Sequence, residues 1–504
     1  MISAYTGTQI RDAEKPLLDS GGGAVLMQRA SYGLANAVVR ELAARGIRPY
    51  GASVAVLAGK GNNGGDGLFA GALLAARGMR TTAVLTAVDA HPEGLAAFER
   101  AGGRARTLTD HNAAELAAAA ASADVVIDAV LGTGAQGGLR GPSASLVEKL
   151  RTSLRGLVVA CDIPSGVNAD TGEAYDPVLP ADITVTFGGA KAGLLADPGA
   201  DHAGRVLIIP IGIGDQLPSP VLRRLETADL ARLLPPPARR SHKYSRGVLG
   251  IVAGSQQYPG AAVLACRGAL AAGAGMVRYL GPPEATRLVR QACPEVVCGP
   301  DNVADAHVQA WLVGSGIADG DDEQLQRVRD AVETGLPVAA DAGALPALPD
   351  ILAPHVVLTP HAGELAHALQ RYGIDLGRQG VEGATLDAVR QAAERTGATV
   401  LLKGATTVVA APSGPVFSQA EATPWMATAG SGDVLAGALG SLLAQRSDDE
   451  ERFDACGISA DQRWAAIGAM AASLHGRAGT LAAAGGPVTA GAIATHLPEV
   501  MRTL

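Results

Sequence analysis

Apolar runs alternate with helical patterns along the first half of the chain. Six short runs rich in β-branched and aliphatic residues predict buried strands, at 54–57, 82–85, 125–127, 157–160, 183–186 and 206–209. Patterns rich in alanine and leucine lie between them and predict helices, as at 68–76 and 145–150. Buried strands that alternate with helices are typical of a mostly parallel sheet with helices on both faces. The pattern therefore predicts an α/β domain.

The alternation lapses near residues 214–220 and then restarts, which indicates a linker at that point. We therefore predict two domains, residues 1–218 and residues 219–504. Strands of the second domain are predicted at 248–252, 311–313, 338–340, 356–358, 400–402 and 408–410, and long helices at 434–444 and 464–478. The two halves are not obvious copies of each other, but the second half also has the pattern of an α/β domain.

Length, composition and charge narrow the class of protein. The 504 residues exceed an ordinary single domain, and a chain with 18% charged and 48% hydrophobic residues is globular. A net charge of −8 without a dense basic run gives no support for nucleic-acid binding. We see no apolar stretch long enough for a membrane span and no secretory leader. The five scattered cysteines show no zinc-type spacing, and their odd number argues against a disulfide framework, so we expect a cytoplasmic protein.

A glycine-rich segment, residues 59–67, follows the first predicted strand and is expected to be a ligand-binding loop. Its glycines let a backbone approach a ligand closely, and the helix after it offers free N–H groups. The side chains of Asn62, Asn63 and Asp66 add oxygens and amides. Ligands of parallel α/β sheets bind beyond the carboxyl ends of the strands, where this segment lies.

Two further strand ends carry polar groups. Asp128 comes just past the third predicted strand and is followed by a glycine-rich stretch through Gly138, and Asp162 and Ser165 follow the next strand. Each aspartate could instead cap a turn or a helix, and each glycine could serve a tight bend. Three such segments at neighbouring strand ends favour a binding site over three separate turns.

The motifs NNGGDG, DAVLGTG and DIPSG, at 62–67, 128–134 and 162–166, together resemble the NAD(P)H-hydrate epimerase (YjeF N-terminal) family over residues 1–215. The resemblance implies that the ligand is NAD(P)H hydrated across the C5–C6 bond of its nicotinamide ring, and that its R and S forms at C6 are interconverted. The residues implied in substrate binding are Asn62, Asn63, Gly64, Gly65, Asp66, Gly132, Thr133, Gly134, Gly138 and Asp162. Those implied in holding a potassium ion are Asn63, Asp128 and Ser165, whose oxygens suit a hard cation. We hypothesise that Asp162 acts as acid and base while the C6–oxygen bond breaks and reforms.

In the second half, the sequence AGSGD at 429–433 precedes a long helical pattern. Its glycines expose backbone N–H groups at a helix N-terminus, which is a ready anion site. Asp433 would lie in the first turn, close enough to take a proton from a hydroxyl that attacks a phosphate. A simple aspartate cap is the alternative. Lys403 and His361 lie at two other predicted strand ends, in KGATT and TPHAGE.

HKYSRG, PGAA, TPHAGE, KGATT and AGSGD together resemble the ADP/ATP-dependent NAD(P)H-hydrate dehydratase family, of the ribokinase-like superfamily, from about residue 225 onward. The resemblance implies that the S hydrate is phosphorylated on its C6 oxygen and then loses phosphate. Asp433 corresponds to the base; the implied substrate contacts are Ala262, Gly316, His361 and Asp433. The implied nucleotide contacts are Lys403, Gly404, Ala405, Thr406, Thr407 and Gly432. Magnesium would bridge the phosphates. Ser315 and Ala318 stand where this family usually has a proline and a third glycine, and Gly343 where an acidic residue is common.

Together the two resemblances imply a Rossmann-like three-layer domain followed by a ribokinase-like α/β domain, in a bifunctional isomerase and lyase that repairs nicotinamide nucleotides. The implied cofactors are potassium and magnesium, with ADP or ATP as co-substrate. The expected partners are hydrated NADH or NADPH and the adenine nucleotide, without nucleic acid or membrane, in a homo-oligomer. The alternative is a ribokinase-like small-molecule kinase fused to a dinucleotide-binding or scaffolding module. The sequence leaves open the choice between ADP and ATP.

Overall fold

The computed structural model describes residues 1–234, 236–299 and 302–504. The chain divides into two compact units, one formed by Ser3–Val221 and the other by Leu222–Leu504 together with Met1–Ile2. Among the described residues, no helix is long and apolar enough to cross a membrane.

The first unit is built on a parallel sheet. Its strands are β1 (Ile2–Tyr5), β2 (Ser53–Ala58), β3 (Arg80–Leu85), β4 (Arg104–Thr107), β5 (Val125–Ala129), β6 (Leu157–Cys161), β7 (Ile183–Phe187), β8 (Ala190–Lys191) and β9 (Arg205–Ile209). Its helices are α1 (Gly7–Asp19), α2 (Gly23–Ala44), α3 (Asn62–Ala76), α4 (Pro92–Arg100), α5 (Ala113–Ala121), α6 (Gly141–Ser153) and α7 (Gly199–Ala203). Seven strands form the sheet in the order β4-β3-β2-β5-β6-β7-β9, and β1 pairs with β8 in parallel. All six strands predicted in this half are present.

Alternate residues of the central strands serve two hydrophobic cores. Val54 and Val56 of β2 belong to the core formed with α2 and α3, whereas Ala55 and Leu57 belong to the core formed with α5 and α6. Because side chains alternate across a strand, a strand that is apolar throughout needs helices on both faces. The unit is thus a three-layer, Rossmann-like α/β structure. Its strand order reverses between β2 and β5, the place where such folds bind ligands.

The second unit is a larger α/β structure. Its strands are β10 (Leu222–Arg224), β11 (Val248–Val252), β12 (Met276–Leu280), β13 (Val297–Cys298), β14 (Ala310–Val313), β15 (Val338–Ala340), β16 (Val356–Leu358), β17 (Thr399–Leu402), β18 (Thr407–Ala410) and β19 (Val416–Gln419). Its helices are α8 (Thr227–Leu233), α9 (Pro259–Ala271), α10 (Pro283–Ala292), α11 (Asp322–Glu333), α12 (Ala362–Gln370), α13 (Gly377–Gly383), α14 (Thr385–Thr396), α15 (Ser431–Arg446), α16 (Glu450–Ala455), α17 (Arg463–Ala483) and α18 (Ala490–Arg502). The strand order is β13-β12-β11-β14-β15-β16-β17-β18-β19-β10, parallel from β13 to β17 and antiparallel from β17 to β19.

Helix α15 occupies the centre of the second unit, which explains its composition. It is buried along nearly its whole length and packs closely on α9. A Cβ on Gly437 would lie 2.1 Å from the carbonyl oxygen of Ala265, and a Cβ on Gly268 would lie 2.4 Å from that of Val434. Only glycine permits such an approach of two helix backbones. This packing fixes the position of the first turn of α15, which carries Asp433.

Candidate active sites

One cavity of about 850 Å³ opens at the carboxyl ends of β2, β5 and β6 in the first unit. Its volume is in the usual range of small-molecule sites. Eight of the ten predicted substrate-binding residues line it, from three separate segments of the chain: Asn62, Asn63, Asp66, Gly132, Thr133, Gly134, Gly138 and Asp162. The strand order thus brings the three sequence motifs together around one cavity.

The prediction of a binding loop over residues 59–67 was wrong in its extent, because α3 already begins at Asn62. Gly64 and Gly65 are buried within this helix and are not among the residues that line the cavity. A Cβ on Gly64 would lie 2.0 Å from the carbonyl oxygen of Gly59, and a Cβ on Gly67 would lie 2.6 Å from the Cβ of Ala129. These glycines therefore serve helix packing, and tertiary contacts override their low helix propensity.

The three residues predicted to hold potassium form a connected group. Asp128, which the sequence suggested lies past a strand, is inside β5 and fully buried. Its two oxygens accept hydrogen bonds from Ser165, one from the hydroxyl at 2.6 Å and one from the backbone N–H at 2.8 Å. Burial raises the pKa of Asp128, and the hydrogen bonds from Ser165 partly offset this effect. Asn63 donates from Nδ2 to the carbonyl oxygen of Leu131 at 3.0 Å.

The side-chain oxygen of Asn63 is free to bind a further group. Asn63 Oδ1 is buried and has no hydrogen-bond partner, and such an atom costs free energy unless something binds it. The buried carboxylate of Asp128 supplies the negative charge that a monovalent cation needs. Within the described parts of the chain, no cluster of three or more His, Cys, Asp or Glu residues is suited to a metal. Oxygen donors from Asn, Asp and Ser fit a hard cation such as potassium.

Asp162 is held by a lysine that sequence reasoning missed. Lys191 is 1% exposed and hydrogen-bonds through Nζ to Asp162 Oδ1, to Thr186 Oγ1 at 2.8 Å and to the carbonyl oxygen of Phe187 at 3.1 Å. Asp162 itself has a positive φ of 66°, which is strained for a residue with a side chain. The available signal was that Lys191 is the only charged residue between Asp182 and Asp197.

Two more carboxyl groups, those of Asp66 and Glu14, line the same cavity. Asp66 is 8% exposed, and its Oδ1 is buried without a hydrogen-bond partner. Burial raises the pKa of Asp66 well above its usual range, and the carboxylates of Asp162 and Glu14 raise it further. Burial also raises the pKa of Glu14, and the ammonium of Lys191 partly offsets this rise. Glu14 was missed because α1 was not predicted.

In the second unit, Asp433 lies in the first turn of α15, as predicted. Burial is the main cause that raises the pKa of Asp433 to about 7, and the neighbouring carboxylate of Asp341 adds to it. The ammonium of Lys403 and a hydrogen bond from Ser315 act in the opposite direction. A Cβ on Gly432 would lie 3.5 Å from Lys403 Nζ, so this lysine reaches the N-terminus of the helix.

Asp341, which the sequence did not identify, connects these groups. It follows β15 and accepts hydrogen bonds from Thr359 Oγ1 at 2.9 Å, from Lys403 Nζ at 3.0 Å and from Ser315 Oγ at 2.9 Å. Burial alone would raise the pKa of Asp341, but the charge and hydrogen bond of Lys403, together with the hydrogen bonds from Thr359 and the backbone N–H of Ala342, lower it. Ser315, one of the departures from the family pattern, thus contributes a hydroxyl to the site.

The remaining predicted residues of the second unit lie on several elements. Ala262 is buried in α9, and Gly316 has φ +68° where a Cβ would meet Ala261 Cβ at 2.4 Å. Residues 404–406 follow Lys403 and connect β17 to β18, whose first residue is Thr407. His361 is the N-cap of α12: its Nδ1 accepts from the N–H groups of Gly363 and Glu364, at 3.1 and 3.2 Å, and its side chain is 59% exposed. Helix capping therefore accounts for this histidine in the structure.

Comparison with known proteins agrees with the two-unit structure. A family model described as NAD(P)H-hydrate dehydratase matches residues 249–501, and one described as YjeF-related protein N-terminus matches residues 23–193. The bifunctional NAD(P)H-hydrate repair enzyme Nnr of Mycobacterium tuberculosis (strain ATCC 25618 / H37Rv) is 43% identical over 448 residues, which are 87% of this chain and 89% of that protein. The enzyme of the same name from Moorella thermoacetica is 34% identical over 486 residues, 90% of this chain and 88% of that protein.

Among solved structures, the ADP/ATP-dependent NAD(P)H-hydrate dehydratase from Bacillus subtilis, co-crystallised with ATP and Mg²⁺, is 25% identical. The aligned part covers 54% of this chain and 95% of the Bacillus subtilis chain, with a TM-score of 0.47. The fold and the two groups of carboxylates at strand ends define a two-site α/β enzyme. The chain belongs to the family of bifunctional NAD(P)H-hydrate repair enzymes.

Proposed function

We propose that residues 1–218 interconvert the R and S forms of hydrated NAD(P)H, and that residues 219–504 dehydrate the S form to NAD(P)H with ADP or ATP. The observation that carries this proposal is Asp433, a carboxyl group with a pKa of about 7 in the first turn of α15. Such a group is ionised for a large part of the time near neutral pH and can still hold a proton afterwards, as a general base must. The division into compact units after Val221 supports the assignment of one activity to each half.

The dehydration follows from Asp433, Lys403 and the helix N-terminus. Asp433 takes the proton of the C6 hydroxyl while the C6 oxygen attacks the terminal phosphorus, and the bond from phosphorus to the nucleotide breaks to leave AMP or ADP. Lys403, held by Asp341 at 3.0 Å, and the N–H groups of α15 stabilise the charge on the phosphoryl oxygens. A magnesium ion bound with the nucleotide would supply positive charge to the phosphate oxygens, beside Lys403 and the N-terminus of α15.

Loss of phosphate then completes the reaction. The lone pair of the ring nitrogen expels the phosphate from C6, and loss of a proton from C5 restores the C5–C6 double bond. Hydroxide would be a poor leaving group, whereas phosphate is a good one. A kinase-like site therefore serves as a dehydratase, because its phosphorylated product breaks down.

We assign the potassium ion to Asn63, Asp128 and Ser165 of the first unit. Asn63 Oδ1, Asp128 and Ser165 Oγ would hold it, and its charge would balance the buried carboxylate of Asp128 while the adjoining strand ends are kept in place around the cavity. The unpartnered Oδ1 of Asn63 supports this assignment. A homo-oligomeric state and a cytoplasmic location stay predictions.

The test uses the whole protein with a mixture of R and S hydrates of NADH, magnesium, potassium, and ADP or ATP. We expect complete recovery of the absorbance of the reduced nicotinamide, and the faster nucleotide identifies the donor. Conversion that stops when the S form is exhausted would contradict the epimerase half. Accumulation of a stable phosphorylated product would instead favour the small-molecule kinase.

A further inference from the structure

Two carboxyl groups in the cavity of the first unit differ in their surroundings. Asp162 shares its Oδ1 with the buried ammonium of Lys191, which stabilises the charged carboxylate. Asp66 projects from α3 into the same cavity, is 8% exposed and leaves its Oδ1 buried without a hydrogen-bond partner. A charged carboxylate with a bare buried oxygen is costly, whereas a protonated carboxyl is much less so.

The charges around Asp66 favour the protonated form from several sides. Asp162 beyond β6 and Glu14 on α1 both raise its pKa, in addition to burial. Two groups act in the opposite direction, the hydroxyl of Ser31 on α2 and the ammonium of Lys191 on β8. Of the groups named, Lys191 has the smallest effect on the pKa of Asp66. Environments that separate the protonation states of two carboxyls mark one as acid and the other as base.

We propose that Asp66 is the general acid of the epimerisation and donates a proton to the C6 oxygen, while the lysine-held Asp162 acts as the base. This inference rests on the proposed function of the first unit. It gives Asp66 a role in the reaction itself, beyond the substrate contact that the sequence motif implies.

The proposed steps balance in protons and electrons. The carboxyl proton of Asp66 passes to the C6 hydroxyl, the C6–oxygen bond breaks, and the lone pair of the ring nitrogen forms a C6–nitrogen double bond as water leaves. Water then adds to the opposite face of C6 and gives a proton to the carboxylate of Asp162, and the electron pair returns to nitrogen. The proton returns from Asp162 to Asp66 through water in the cavity that both residues line.

The variant Asp66→Asn tests this role with little risk to folding, because asparagine resembles the protonated carboxyl that the site favours. With the pure R hydrate, we expect the kcat of epimerisation to fall by roughly 100-fold or more, with KM changed by less than about threefold. Dehydration of the pure S hydrate by the same preparation should stay at the wild-type rate. That activity is the internal control for a folded chain.

The pH profile separates catalysis from a structural role. In the wild type, epimerisation should decline at high pH as Asp66 loses its proton, and Asp66→Glu should restore part of the activity with a displaced basic limb. Normal kcat in Asp66→Asn, or a loss confined to KM, would overturn the inference while leaving the epimerase standing. Absence of epimerisation in the wild type would overturn the proposed function instead, and this inference with it.

Discussion

Replacement of Asp433 by asparagine should abolish dehydration and at the same time stabilise the second unit. The folded state holds the pKa of Asp433 at about 7, against an ordinary value of 3.8. Because the pKa is raised, the folded protein binds the proton more tightly than the unfolded chain does. Stability is therefore full below the unfolded pKa and is lost as the pH rises toward the folded pKa.

The size of the effect follows from this difference. Compared with a side chain that cannot ionise, Asp433 lowers the free energy of unfolding by roughly 4 kcal/mol at about pH 8 and by less than about 2 kcal/mol at about pH 5. Asparagine cannot ionise, so Asp433→Asn should gain a stability of that order at the higher pH and much less at the lower one. A catalytic carboxyl of raised pKa thus reduces the stability of the fold that holds it.

Urea denaturation of the nucleotide-free protein at both pH values measures this prediction. Since the chain forms two compact units, we expect two transitions; that of the second unit is followed, and that of the first unit serves as an internal reference. The matched control is Asp341→Asn, which should instead destabilise the second unit by roughly 1 to 3 kcal/mol, since it removes the nearest carboxylate of the partly buried Lys403 and leaves it only Glu364 at 4.0 Å. A variant of Asp433 that is no more stable than the wild type at pH 8, or equally stabilised at both pH values, would refute the reasoning.

Three further predictions concern other parts of the two sites. Asp341→Asn should move the acidic limb of the dehydration pH profile down by about one pH unit, because it removes a negative charge that raises the pKa of Asp433; an unmoved limb in the pH dependence of kcat would contradict this. Gly64→Ala should cost the first unit more than about 2 kcal/mol, since its Cβ would meet a backbone oxygen at 2.0 Å, whereas Gly134→Ala, with open space around it, should leave the unfolding free energy unchanged. Potassium should raise the melting temperature of the first unit relative to N-methylglucamine, and Asp128→Asn should remove that difference; an equal response in the variant would exclude Asp128 as a ligand.

Strands with continuous apolar runs could be predicted from the sequence, because burial of the strand on both faces accounts for such runs. β11, β15 and β16 were predicted at their observed limits, and the other predicted strands differ from the observed ones by one or two residues at one or both ends. β4 was missed because it is an edge strand of mostly exposed, polar residues, Arg104–Thr107. The start of α3 was missed because local propensity assigns NNGGDG to a loop, while packing against Gly59 and Ala129 makes it a helix.

The residues at the sites divide in the same way. Side chains next to a glycine-rich motif at a strand end could be predicted to line a cavity, because such motifs are typical of ligand-binding segments. Lys191 and Asp341 could not, since each acts through a partner distant in sequence: 29 residues separate Lys191 from Asp162, and 62 separate Asp341 from Lys403. His361 has a structural role that its motif did not indicate, since its ring caps α12; its contact with substrate stays a prediction.

Both sites combine the same elements, a carboxylate held by a lysine and a second carboxyl whose pKa the first one raises. In the first unit Lys191 holds Asp162, and Asp162 raises the pKa of Asp66. In the second unit Lys403 holds Asp341, and Asp341 raises the pKa of Asp433. In both sites the lysine stabilises the charge on the carboxylate that it contacts. That charge in turn favours the protonated form of the second carboxyl, which therefore keeps its proton to a higher pH than an ordinary carboxyl does.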